Sequence, residues 1–558
     1  MNTSPLIVFI ALAAVLANTS VSALDITIVA DNQEKELFGH NTGFSAKEAQ
    51  DETKVALRSS EQELFSKYVL RAALQDMPTA ALAIHLGDLL DYSCATEWKR
   101  VASSLFSAPE GVPVLMAPGN HDGLFQGNVH YGAAVRNVLL FRSFWEPKAG
   151  IDPGLEGHAN AVCDPEWGGV RRYQAKFRKR DLVCAYLLRN PALAGDAAAL
   201  RATCEGVERG RTAKISLAEA ARLRFSHDRA QPDVHGRALH VSFYDDRATE
   251  WSRGHLLQIQ RLPLDETRTR FVSVILLDTA DWQTAPHFVL ADRLWPCRSA
   301  NNTDCGFIGN AQRLAVDAYL DGPGREDFIV LAGHYPLHRG AMHADTREWL
   351  KARLARPNVL SRFVSAHTHD AFSDDSNANV DSLADHPVSY RVLSLRLDGD
   401  QVRAHLAERD LGQTLRCDEV LELERDAVIK SVAAFVGNAH TGNGYGREQW
   451  LHRARDAERA MREMAAHISP GQALCAMADG PLSHRSDRAK IAARLTSCQA
   501  ALDELIEADP EHQKRAACHA IVGAKALHAL YPDWPMAKGP RPLPAWDLDP
   551  AAETRTKN

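Results

Sequence analysis

The chain predicts an α/β (α+β) architecture, sheet covered by helices, on three observations. Short apolar runs recur at residues 24–30, 80–86 and 112–116, and each stops at polar or Gly/Pro residues. Segments with helical apolar spacing separate them, over 61–75 and roughly 96–106. The same rhythm returns after a long gap, at 271–277, 328–332 and 360–365.

Each element has a local reason. Residues 24–30 alternate, are rich in β-branched side chains and end in Asp31-Asn32-Gln33. A polar stretch to about Ser60 reads as a loop. Leu64, Phe65, Tyr68, Val69 and Ala72 then line one side of a helix. The run 80–86 ends in Gly87-Asp88-Leu89-Leu90-Asp91, and the run 112–116 leads into Pro118-Gly119-Asn120-His121-Asp122. Residues 124 to about 265 lack this alternation and read as a long insertion. Within it, the basic run 171–180 reads as a solvated edge. The later strands end in Asp278-Thr279, Gly333-His334 and Ala366-His367-Thr368-His369. Asp398-Gly399-Asp400 between two further runs signals a hairpin. The core domain is thus placed at 24–414. A helical region follows at 415–530, with helices over 418–436, 448–466 and 485–507, and then a Pro-rich tail at 531–558.

Composition narrows the class. Of 558 residues, 45% are hydrophobic and 24% charged, an ordinary globular mixture. Net charge is −7, from 64 Lys+Arg against 71 Asp+Glu, which argues against specific nucleic-acid binding. Residues 1–23 read as a secretory signal, with an apolar stretch over 6–16 and a small-residue site at Val21-Ser22-Ala23. No later run reaches the roughly 18 apolar residues of a spanning helix, so no transmembrane anchor is expected. The ten cysteines all follow residue 23 and suit up to five disulfides in a secreted or periplasmic protein. Cys297 and Cys305 are the expected neighbours.

The chemistry lies at the strand ends. Asp31, Asp88, Asn120, His121, His334, His367 and His369 all follow predicted strands, where open α/β sheets build their sites. Carboxylate, amide oxygen and imidazole without thiolate suit zinc, iron or manganese. The number of groups suffices for two divalent ions sharing Asp88, which together activate a water and hold both oxygens of a displacement at phosphorus. His121 would donate a proton to the leaving oxygen, with Asp122 orienting it.

The ordered blocks Gly-Asp-x-x-Asp at 87–91, Gly-Asn-His-Asp at 119–122, Gly333-His334 and His367-x-His369, preceded by Asp31, resemble the calcineurin-like metallophosphoesterase superfamily. That resemblance spans residues 31–369 and leaves the C-terminal region unexplained. It implies a β-sandwich of two mixed sheets flanked by helices. It also implies that Asp31, Asp88 and His369 hold a first metal, that Asp88, Asn120, His334 and His367 hold a second, and that His121 is the acid. The first block departs from the family's Asp-x-His, because Gln33 stands where an imidazole is expected and would coordinate weakly through oxygen or not at all. The implied function is an exported phosphoesterase with a dinuclear centre and a bridging hydroxide, acting on a phosphorylated small-molecule or lipid mono- or diester. Gln33 leaves a second expectation: a metal-binding, catalytically weak exported protein that recognises a partner through its insertion and helical tail.

Overall fold

A computed structural model of the chain describes residues 23–35, 58–77, 80–91, 93–122, 179–196, 198–202, 204, 224–246, 251–281, 305–338, 340–441, 447–471, 488–530 and 546–547. Residues 1–22 of the expected secretory signal, most of the basic run, Cys163, Cys297, Cys475 and most of the Pro-rich tail lie outside these residues.

The strands are β1 (Leu24–Val29), β2 (Ala80–His85), β3 (Val114–Met116), β4 (Arg224–Arg229), β5 (Arg237–Asp246), β6 (Trp251–Pro263), β7 (Phe271–Leu277), β8 (Phe328–Gly333), β9 (Phe363–Ser365), β10 (Phe372–Ser373), β11 (Asn377–Asn379), β12 (Ser389–Asp398), β13 (Gln401–Asp410) and β14 (Trp546–Asp547). They form two mixed sheets. One has the order β14-β13-β12-β1-β2-β3 and the other β10-β11-β9-β8-β7-β6-β5-β4. In the first, β1, β2 and β3 run parallel, so their carboxyl ends share one edge. In the second, β7, β8 and β9 do the same.

The longer helices are α1 (Ser60–Gln75), α2 (Ala95–Leu105), α3 (Lys179–Arg189), α4 (Asn310–Asp321), α5 (Ala344–Leu354), α6 (Arg425–Thr441), α7 (Arg447–Ile468), α8 (Arg488–Glu507) and α9 (Pro510–Leu530). Period-two burial sorts the strand side chains between layers. Ile26, Ile28, Leu82, Ile84 and Leu115 pack against Val272, Val274, Leu276, Val330 and Val364, so the two sheets meet face to face. On the far side of the second sheet, Ile275, Leu277, Ile329 and Leu331 pack under Val316 and Leu320 of α4 and Leu350 of α5. On the far side of the first, Val29, Ala83, Val114 and Met116 pack under α1 and α2. Each fully buried aliphatic side chain contributes about 1.5–3 kcal/mol to this layering.

Residues 224–263 correct the expected insertion, because they supply three long antiparallel strands of the second sheet. Buried glutamines mask the alternation. Gln258 and Gln260 lie inside, where Gln258 Nε2 donates to Met116 O at 2.8 Å and Gln258 Oε1 accepts from Tyr186 at 2.7 Å. The hairpin at Asp398-Gly399-Asp400 forms as expected, with Asp398 opposite Gln401 and Gly399 at φ 62°.

The C-terminal helices are part of the same body. α1 begins with a capping box, in which Gln62 N donates to Ser59 Oγ at 3.3 Å and Ser59 N to Gln62 Oε1 at 2.9 Å. Its polar face, including Glu61, Gln62, Glu63 and Lys67, is buried by α9 and its neighbours. Lys67 pairs with Glu507 at 2.9 Å and Asp503 at 3.0 Å, and Glu61 Oε1 accepts from Ser431 at 2.6 Å. Gly523 passes so close to the cap that a Cβ there would meet Ser59 Oγ at 2.8 Å. Pro510 starts α9 where its missing N–H costs nothing. Disulfides join Cys184 to Cys204 and Cys417 to Cys518.

The Cys417–Cys518 bridge spans 101 residues of sequence and ties α9 to the segment that follows β13. Loop-closure entropy predicts that removing a cross-link of this span costs about 4–5 kcal/mol. The Cys417→Ser/Cys518→Ser protein is therefore expected to melt about 3–4 °C lower by calorimetry. An unchanged melting temperature would show that α9 is held by packing alone.

Candidate metal centre

The polar strand ends converge in strained turns. Nine described residues other than glycine have positive φ, and five of them belong here: Asp31 (50°), Gln33 (41°), Asp88 (52°), His367 (76°) and His369 (57°). Such conformations are unfavourable for these residue types and persist only where the surroundings over-determine them. Backbone bonds supply that support. Asp31 N donates to Gly87 O and Gln33 N to Asp88 O, both at 3.0 Å, which clamps the turn after β1 to the turn after β2. Ala366 N donates to His334 O at 2.8 Å, linking the turns after β8 and β9. Gly119 has no side chain because Asp88 lies against it; a Cβ there would sit 2.1 Å from Asp88 Oδ1.

Two groups of side chains could each hold a metal ion. Asp88, His334 and His367 form one, Asp31, Asp88 and His369 the other; within each, the ligand atoms lie within 4.8 Å of one another. Asp88 belongs to both, as the sequence suggests. Asn120 adds an amide oxygen to the first group: Oδ1 lies 2.9 Å from His334 Nε2 and 2.9 Å from His367 Nδ1. His334 Nε2 is also 3.3 Å from Asp88 Oδ2, and His369 Nε2 is 3.6 Å from Asp31 Oδ1.

The donor set fits a cation for three reasons. Asp31 Oδ1 is buried without a hydrogen-bond partner among the described residues, a costly state for a carboxylate oxygen unless positive charge faces it. His334 Nδ1 donates to Leu86 O at 2.9 Å and His369 Nδ1 to Asp385 Oδ2 at 2.5 Å, so each ring keeps Nε2 for the centre. Fixing the outer imidazole nitrogen in this way is how metal-ligating histidines are usually oriented. The field also favours positive charge. Burial opposes a charged ring at His334 and at His121, yet Asp88 outweighs it, pushing His334 up to about 9 and, with Asp91, His121 up to about 10. Burial pushes the Asp31 carboxyl up, whereas at Asp88 the effect of burial is exceeded by His334 and His121, which hold it well below the usual range.

Most predicted site residues therefore meet, and two take other places. Asp122 does not touch the His121 ring; its carboxylate accepts from Leu89 N at 3.2 Å, Leu90 N at 2.9 Å and Gly119 N at 3.0 Å, pinning the loop that carries Asp88. The carboxylate beside His121 is Asp91, with Nδ1 2.8 Å from Asp91 O and 3.4 Å from its Oδ1. Gln33 does not offer its oxygen to a metal. Oε1 accepts from Arg58, and Nε2 faces Asp88 Oδ2 at 3.4 Å. Sequence reasoning missed Asp91 as the partner of His121, and Asp385 and Arg58 altogether. His85, beside the motifs, is a satisfied core residue, with Nε2 3.1 Å from Asn32 Oδ1 and Nδ1 accepting from Gly87 N at 3.2 Å.

No family model matches this chain, and no curated protein is significantly similar to it.

The close approach at Gly119 gives a test. Gly119→Ala is expected to displace Asp88 and lower bound metal by at least about half, measured by elemental analysis of folded protein, since something must shift to admit the methyl group. Full metal content in that variant would mean that Asp88 is not the shared ligand.

Proposed function

We propose that the chain is an exported, metal-dependent phosphoesterase of the calcineurin-like kind. The observation that carries this reading is the pair of ligand groups meeting at one buried aspartate, Asp88, with a further imidazole, His121, beside it. Asp31, Asp88 and His369 would hold one divalent ion, and Asp88, Asn120, His334 and His367 the other. Oxygen and imidazole donors without thiolate suit zinc, iron or manganese. When bound, such a pair supplies Lewis acidity and charge neutralisation at an ester phosphorus.

The chain's own residues account for the rest. The five strand-end turns present the ligands from rigid sheet edges, which limits reorganisation on substrate binding. His121 Nε2 lies 4.0 Å from Asp88 Oδ2, so the ring faces the centre while Nδ1 is held by Asp91. His121 carries a proton there and gives it to the leaving oxygen. Asp122 keeps the 87–90 loop in place and so sets where Asp88 points. Disulfides suit a secreted or periplasmic setting. No described helix is long and apolar enough to cross a membrane. A phosphorylated small molecule or lipid headgroup is the substrate class in view.

One observation favours a weaker centre. Arg58 engages Gln33, so one position that would add a ligand is instead capped by a cation. Elemental analysis of protein made in an oxidising compartment separates the readings. The phosphoesterase reading expects about two transition-metal ions per chain and hydrolysis of an aryl phosphate mono- or diester. Metal without hydrolysis would favour the binding-protein reading, and no metal at all would remove both.

Two substitutions assign roles. His121→Ala should leave metal content nearly unchanged and lower the hydrolytic rate about 10²–10⁴-fold, measured by steady-state kinetics; loss of metal instead would mean that His121 is a ligand. Asp88→Asn should reduce metal at both positions together, and loss of only one ion would show that Asp88 is not shared.

A further inference from the structure

Behind the ligands lies one buried guanidinium. Arg58 stands one residue before the Ser59 cap of α1, in a stretch that carries no motif, and is only 3% exposed. Its Nε and Nη2 reach the two carboxylate oxygens of Asp385, each at 3.4 Å, and Nη1 lies 4.0 Å from Asp91 Oδ1. Nη2 also donates to Gln33 Oε1. Each of these three partners touches a different part of the centre. Asp385 accepts from His369 Nδ1, the Asp91 backbone carbonyl accepts from His121 Nδ1 with the Asp91 carboxylate 3.4 Å from the same nitrogen, and the Gln33 amide faces Asp88.

We propose that Arg58 is a positioning residue that sets His369, His121 and Asp88 from behind, through Asp385, Asp91 and Gln33. The inference rests on the metal-centre reading above. Its physical basis is the planar guanidinium, which presents several donors in fixed directions and can therefore hold three acceptors at once. Buried Asp91 and Asp385 need a nearby cation to remain charged, and a charged carboxylate orients an imidazole and raises its basicity as a ligand. Gln33 follows from the same arrangement: with its oxygen taken by Arg58, it steers Asp88 and does not bind metal.

The three arms are not equally dependent on Arg58. Asp91 also has Lys35, whose Nζ lies 3.9 Å from its Oδ2. Among the described residues, Arg58 is the one Arg or Lys placed within 4.0 Å of Asp385. Loss of Arg58 should therefore fall hardest on His369, and so on the ion held with Asp31.

The test is calorimetric titration of the metal-free full-length chain with Mn²⁺, beside aryl-phosphate kinetics, for wild type, Arg58→Ala and Asp385→Asn. Wild type is expected to show two binding events. Arg58→Ala should weaken one about 10–100-fold, the usual effect of removing an outer-shell partner, and leave the other within about threefold. In the same variant kcat should fall while KM changes little, and millimolar guanidinium ion should restore part of both losses by occupying the place of the deleted side chain. A general loss of structure would weaken both binding events and would not respond to guanidinium, and either result overturns the proposal. Should Arg58→Ala fail to fold, Asp385→Asn carries the test: the same selective weakening is expected, and wild-type affinity in that variant overturns the proposal. Wild-type protein that takes up no Mn²⁺ overturns the metal-centre reading and this proposal with it. Wild-type binding retained by a folded Arg58→Ala overturns this proposal alone.

Discussion

The structure is arranged around the burial of negative charge at the edge where the two sheets meet. Asp31, Asp88, Asp91, Asp122 and Asp385 are all buried within one group of turns. A carboxylate taken out of water costs several kcal/mol unless donors or cations face it. Four of the five have donors or cations close by. Asp122 is satisfied by three backbone N–H groups, Asp385 by Arg58 and His369, and Asp91 by His121 with Arg58 and Lys35 close by. Asp88 receives His121 N and lies beside His334. Asp31 is left with an oxygen that nothing described donates to. Both carboxylate oxygens of Asp91 also lack a hydrogen-bond donor among the described residues, but Arg58 and Lys35 stand within 4.0 Å of them.

The sandwich makes this burial possible. Parallel strands end on one side, so β1, β2 and β3 in one sheet and β8 and β9 in the other bring their exits together once the sheets are packed face to face. The left-handed turns then redirect side chains that would otherwise follow the strand out to solvent. Strain and apolar packing are linked here: the interior of Ile26, Ile28, Leu82, Ile84 and Leu276 holds the frame that keeps five unfavourable φ values in place. The C-terminal helices extend the same frame. By burying α1, α9 helps to fix the segment from which Arg58 reaches inward, so a region remote in sequence supports the centre without contributing a ligand.

Much of this was legible in the sequence, and the reason lies in the kind of signal each residue carries. Asp88, Asn120 and His334 each follow a short apolar run and a Gly, and His367 and His369 follow another such run, so period and punctuation locate them together. β6 was not legible, because Gln258 and Gln260 are polar residues on a buried face, satisfied by partners that no local pattern reveals. α9 is rich in alanine and buried over much of its surface, so it shows little of the one-sided periodicity that marks a surface helix. Asp122 follows His121 directly, and adjacency suggested a pairing that the turn geometry does not make: its carboxylate points back along the chain to Leu89 and Leu90.

Gln33 shows why a substitution in a motif is hard to judge without its surroundings. Read alone, an amide in place of an imidazole subtracts a ligand. Read with Arg58, it belongs to a different solution of the same electrostatic problem. A protonated imidazole at position 33 would place positive charge against Arg58, whereas an amide offers oxygen to the guanidinium and N–H to the carboxylate. Gln33 therefore joins a cation to an anion that are too far apart to meet directly. Gln33 thus connects Asp88 to the guanidinium that also faces Asp385 and Asp91. Arg58 lies in a polar stretch that carries no motif, and so the connection becomes visible only when the turn after β1 and the start of α1 are seen side by side.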